Sequence, residues 1–204
     1  MQTRATRSDG PPPRPDAATS ATRNARRWLP AIVVLLVIVT VVMGGYVVAG
    51  ALSEPAGPPV GFAGVVSVRP LSGWQFAGRD RVGGAPFVRI TRGNGNLDVV
   101  AVVPFDRNVD ALATEYAQRI LSAELSQLSV SPHPESVRLL SGLHALRYGY
   151  VGVVADTGAS IEGEVTVLVT AGGHGVVFDG WAPEGLLSFV RSDIEMMVER
   201  AAVL

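Results

Sequence analysis

The sequence predicts an α+β fold, an antiparallel sheet with two packed helices, preceded by a single transmembrane helix. Three observations carry that expectation. Residues 29–52 contain no Asp, Glu, Arg, Lys or His. Farther on, stretches such as Ile161–Ala171 alternate apolar and polar residues, the period-2 signature of a strand with one buried face. Two other segments, one central and one C-terminal, place their apolar residues at helical spacing instead.

The charge-free run comes first. A helix rises about 1.5 Å per residue and the hydrocarbon core is about 30 Å thick, so roughly 20 apolar residues span it. Ala31–Ala51 meets that length, and Pro30 falls in the first turn, where its missing N–H costs nothing. Trp28, with Arg26 and Arg27 before it, is the expected interfacial anchor. Six arginines against two aspartates give residues 1–28 a net charge of about +4. The positive-inside rule then puts the N-terminus in the cytoplasm and residues 53–204 outside the plasma membrane. A cleaved signal peptide is the rival, with Ala49-Gly50-Ala51 as a small-residue cleavage site. Signal cores run about 7–15 residues, shorter than this one, so a retained anchor is expected. Residues 1–28 read as a disordered basic cytoplasmic tail, 29–52 as the span, and 53–60 as a Pro-rich linker.

Residues 61–204 are the expected exported domain. A short strand, Val65–Val68, leads through Pro70-Leu-Ser-Gly-Trp-Gln-Phe76 into a second extended piece. Phe87–Arg92 and Leu97–Val103 flank Gly-Asn-Gly-Asn, where Asn94-Gly95 suits a tight hairpin. A helix follows, capped by Asp106 or Asn108, with Val109, Leu112, Ala113, Tyr116, Ala117, Ile120 and Leu128 on its apolar face. Strands are expected near 142–154, 161–171 and 174–181. In the second, Ile161, Gly163, Val165, Val167 and Val169 face one way, and Glu162, Glu164, Thr166 and Thr170 the other, with Leu168 among them. Pro183 opens the last helix, Ser192 and Glu195 fit a capping box, and Val190, Ile194, Met197, Val198 and Ala201 form its stripe.

The Pro70-x-x-Gly73-Trp74 turn, followed by hairpin, amphipathic helix, long meander and terminal helix, resembles the PsbP/Mog1-like fold. That fold is known also from envelope lipoproteins of mycobacteria and related actinobacteria, and this chain would be a membrane-anchored variant. The resemblance implies a binding or accessory module rather than an enzyme, and it supplies no catalytic set.

Composition narrows the chemistry. There is no cysteine, hence no disulfide, thiol nucleophile, zinc–thiolate site or lipidation cysteine. Eleven arginines against fifteen acids make residues 61–204 net acidic, which argues against a nucleic-acid surface. All 17 basic residues are arginine, a bias of GC-rich bacterial genomes.

No cofactor and no metal site are expected, because His133, His144 and His174 stand in no ligand spacing. His144, Tyr148 and Tyr150, on one face of a strand, are the best candidates to line an amphiphile pocket, with Trp181 and Trp74 as further aromatic candidates. A hydrolase alternative would use His174 with Asp179 or the Glu162/Glu164 pair, but no Gly-x-Ser-x-Gly elbow supplies a nucleophile. Arg147 or Arg89 is expected to pair with those glutamates. The expected function is a single-pass, non-catalytic extracytoplasmic accessory module in the cell envelope, binding an envelope protein or an amphiphilic lipid or glycolipid. A structural tether is the remaining alternative.

Overall fold

The alternation at Ile161–Val169 becomes one of the central strands of a large antiparallel sheet. The computed structural model describes residues 57–82 and 85–203. Arg26, Arg27, Trp28 and the span at 29–52 lie outside those residues; among the described ones, no helix is long and apolar enough to cross a membrane.

Strands β1 (Val60–Phe62) and β2 (Val66–Val68) form a small sheet that the C-terminal β11 (Ala202–Val203) completes, in the order β1-β2-β11. The large sheet contains β3 (Gln75–Val82), β4 (Ala85–Arg92), β5 (Gly95–Val102), β6 (Leu125–Val130), β7 (Glu135–Arg138), β8 (His144–Val154), β9 (Ser160–Val169) and β10 (Gly175–Pro183). Its order is β3-β4-β5-β10-β9-β8-β6, and β7 pairs with the same edge of β8 as β6. The tight β4–β5 turn is Gly93-Asn94, one residue earlier than expected. Gly93 takes the positive φ of 57°, while Gly95 already pairs with Arg92.

Helix α1 (Val109–Glu115) is capped by Asn108, whose side chain accepts from the Ala111 N–H at 2.8 Å. It runs on through a π-helical turn (Tyr116–Leu121) and a last short turn (Ser122–Glu124). The helix ends there. Leu128, expected on its apolar face, lies in β6, because the outer edge of β8 offers backbone pairing from Leu125 onward. Helix α2 (Arg191–Glu199) starts after Val190 without a side-chain cap, so the expected Ser192–Glu195 box does not form. Glu195 turns instead toward Arg147 (3.6 Å) and Arg191 (3.8 Å). Pro183 closes β10 rather than opening the helix, and a 3-10 turn (Leu187–Phe189) intervenes.

Each face of the large sheet is covered. Val88, Ile90, Leu97, Val99, Leu168, Val176 and Phe178 pack under α2 and the small sheet. Val100, Tyr148, Tyr150, Val165, Val167 and Val177 pack under α1 and its π turn. On the α2 side Gly180 has no side chain because a Cβ there would sit 2.5 Å from Ile194 Cγ2. Its absence lets the helix lie close to the sheet. The Trp74 indole donates to Asp193 on α2 at 3.0 Å, and Arg92 pairs with the same carboxylate while stacking 5.6 Å from the indole. This ties the Pro-x-x-Gly-Trp turn to α2.

Candidate binding site

Directly opposed residues on neighbouring antiparallel strands share a face, so register alone assembles a polar row beneath α1. Arg89 on β4 stands opposite Asp98 on β5, Asp98 opposite Asp179 on β10, and Asp179 opposite Val165 on β9. Two carboxyls facing one another in a sheet repel. The surroundings treat them differently. Arg89 grips Asp98 bidentately, Nε and Nη2 each at 2.7 Å, and the Trp181 indole N–H donates to the same carboxylate at 3.0 Å. The Arg89 guanidinium also lies 5.1 Å from the Phe87 ring centroid and 5.2 Å from the Trp181 ring centroid, within cation–π distance of both.

Among the described residues no cation pairs with Asp179. It is 4% exposed and accepts from Tyr116 Oη at 2.7 Å and Tyr150 Oη at 2.9 Å. Burial, then the nearby Asp98 charge, push its carboxyl up to about 7, outweighing the two hydroxyl donors and Arg89, which act the other way. Burial likewise raises both tyrosines well above the ordinary phenol range, so they stay protonated as donors. When Asp179 takes a proton it becomes a donor itself while keeping acceptor capacity for the tyrosines.

Local structure places both tyrosines. Tyr116 opens the π turn, and the widened turn buries Tyr116, Ile120 and Leu121 together. Such turns are frequent at functional sites. Tyr150 reaches Asp179 across β9 only because its neighbour there is Gly163: a Cβ at 163 would fall 2.4–2.5 Å from the Tyr150 ring and hydroxyl.

A cavity of about 220 Å³ opens over this row. Arg89, Asp98, Asp179, Tyr116, Tyr150 and Trp181 line its polar side; Ile120, Leu121, Leu125, Val154 and Ile161 form apolar walls, and Glu124 completes the lining. A second hollow of about 340 Å³, lined by Ala85, Val102, Leu112, Glu115 and Arg119, shares Tyr116 and Ile120 with the first. The two flank one ridge of the π turn.

Of the residues singled out from sequence, Tyr150 and Trp181 meet in this cavity. Tyr148 is buried beside it, its hydroxyl donating to the Ala113 carbonyl at 3.3 Å, where it lines a separate groove with Ala117 and Val130. His144 is exposed at the start of β8, 2.9 Å from Arg138. Trp74 lies on the opposite face of the sheet, at Asp193. Glu164 pairs with Arg191 (2.6 Å) and Arg147 (3.4 Å), whereas Glu162 accepts from the Leu187 N–H, and Arg89 is taken by Asp98. His174 precedes β10 rather than lying in it; its Nδ1 is buried, with no hydrogen-bond partner among the described residues. Asp98 and Tyr116 were missed. A lone acid inside the apolar stretches Leu97–Val102 and Val176–Trp181 is the signal that would have found the carboxyl pair.

Neither a protein-family model nor a curated protein sequence matches the chain. Solved structures do. The cyanobacterial PsbP protein CyanoP of Synechocystis sp. PCC 6803 is similar at TM-score 0.52 and 15% identity, over 72% of this chain and 92% of that one. LpqN of Mycobacterium tuberculosis, described as involved in cell envelope biogenesis, is similar at 0.49 and 14%, over 72% and 89%. The Ran-binding protein Mog1p of Saccharomyces cerevisiae is similar at 0.49 and 11%, over 74% and 96%. At these identities the likeness speaks for architecture alone: the described domain has the PsbP/Mog1-like fold.

Proposed function

We propose that this chain is a single-pass, membrane-anchored, non-catalytic binding module of the cell envelope, and that the cavity beneath α1 is its ligand site. The observation that carries this reading is the cavity's division of labour. Its walls are aliphatic, and its polar groups are held by one another before any ligand arrives. Preorganised polar groups at one end of an apolar hollow suit an amphiphile, a lipid or glycolipid that sets a hydroxyl or amide at the Asp98–Asp179 row. At about 220 Å³ the cavity is below the roughly 300–1,000 Å³ of a full small-molecule site, so it houses one end of the ligand. The remainder extends around the Ile120 ridge toward the larger hollow. The charge-free run and the arginines before it support the extracytoplasmic location.

The test is purification of the intact protein from its own membranes in mild detergent, with retained lipids and proteins identified together. A stoichiometric amphiphile, lost in Ile120→Trp, is the expected result. A protein partner retained equally by Ile120→Trp would move the site elsewhere. Turnover of wall or lipid material, abolished by His174→Ala, would replace this reading with the hydrolase.

A further inference from the structure

The described domain's arginines are mostly engaged. Arg89, Arg92, Arg107, Arg119, Arg147 and Arg191 pair with carboxylates, Arg138 with His144, and Arg79 with the Gly61 carbonyl. Arg81 also has a partner. The guanidiniums of Arg69 and Arg200 make no such bond among the described residues, and both are exposed.

These two arginines line one depression of about 280 Å³, together with Pro59, Ser67 and Ala202 and no acid. They arrive from opposite ends of the described domain. Arg69 follows β2, Arg200 precedes β11, and β2 and β11 are paired, with Ala202 opposite Ser67. The site is therefore made by the small sheet, on a domain whose other charges sum to net acid.

Its position relative to the tether gives it meaning. Gly57 packs against Pro70, the neighbour of Arg69; a Cβ on Gly57 would be 3.6 Å from the proline ring. Four residues, Ser53–Ala56, separate Gly57 from the end of the charge-free run at Leu52. Fully extended, that link spans at most about 18 Å. If the run is an anchor, that link keeps Gly57 within about two Debye lengths of the end of the span at physiological salt. A guanidinium pair with a serine hydroxyl matches a phosphate, which offers several acceptor oxygens to such donors.

We infer that Arg69, Arg200 and Ser67 form a docking face for the phosphate of an anionic phospholipid headgroup, holding the domain down on the outer leaflet. This rests on the anchored reading above.

The experiment places the intact chain in nanodiscs of phosphatidylcholine, alone or mixed with phosphatidylglycerol. Gadolinium-chelating headgroups then report, by paramagnetic broadening, which residues touch the surface. Broadening centred on residues 59, 67–69 and 200–202, present only with phosphatidylglycerol, is expected. Arg69→Gln or Arg200→Gln should lower the docked-to-free ratio about fivefold each and the double variant about twenty-five-fold, with smaller effects at high salt. Arg138→Gln, an exposed arginine elsewhere, should change nothing. A disc-bound chain with no contact at this face, or contact unchanged in the double variant, overturns the docking face and leaves the anchor standing. Signals at Arg69 and Arg200 that move with inorganic phosphate but not with anionic discs overturn the lipid as source. A chain that elutes apart from the discs overturns the anchor, and the docking face with it.

Discussion

The two faces of the large sheet are built on different principles. The α2 face buries aliphatic and aromatic side chains to 1% exposure or less at Val88, Ile90, Leu97, Val99, Leu168, Val176 and Phe178. Its charges stay at the rim, in the Trp74–Asp193–Arg92 clamp and the Arg147–Glu164–Arg191 group. The α1 face buries a carboxyl, three tyrosines and half of an ion pair, and hollows open along it. A face meant only for stability gains nothing from an acid opposite another acid, because burying such a pair without full compensation costs more than apolar packing. The comparison teaches that close apolar packing and buried polar groups beside open hollows are assigned to opposite sides of one sheet.

The faces should respond to mutation in different currencies. Phe178→Ala on the α2 face should cost about 3–5 kcal/mol in denaturant unfolding, the largest effect expected, since it removes a fully enclosed ring. On the α1 face the large effect is one of pH. A carboxyl raised from 3.8 unfolded to about 7 folded leaves the folded state holding the extra proton between those values. Its contribution is complete below about pH 4 and is lost as pH climbs through 7, on the order of 4 kcal/mol in all. Subtracting an Asp179→Asn curve from the parent curve isolates it. A flat difference from pH 4 to 7 would erase the distinction between the faces.

Smaller effects sharpen the comparison. Gly163→Ala should cost about 1–3 kcal/mol, as the new methyl drives Tyr150 off Asp179. It should raise the Asp179 titration point further, because a donor to the ionised form is lost. Arg119→Ala, which breaks an exposed pair with Glu115, should change stability by no more than about 1 kcal/mol, as measured by thermal unfolding.

How far this was legible varies with the range of the interactions. The alternation in β9 and the stripes of both helices were readable because each is a pattern of consecutive residues, although β9 is buried on its second face too, at Thr166 and Leu168, where one buried face was expected. Strand β6 was not: Leu125 and Leu128 continue the apolar spacing of α1, and only pairing with β8 pulls them into a strand. The two-residue β11 exists only because β2 offers an edge. Within the site, Tyr150 and Trp181 were visible as aromatics with polar tips. Their shared carboxyl system was not, because Tyr116 and Asp179 are 63 residues apart and register alone sets Asp98 against Asp179. His174 drew attention by sitting near an acid in sequence, yet Asp179 bonds to tyrosines and the His174 ring to nothing described.

Carbon-detected NMR titration of the Asp179 side-chain carboxyl is the most direct measurement. The arrangement beneath α1 requires a midpoint near 7, moved upward by Tyr150→Phe and downward by Asp98→Asn. A midpoint of about 4, shared with exposed carboxylates and indifferent to both substitutions, would mean that water already fills the cavity floor and that no preorganised site exists there.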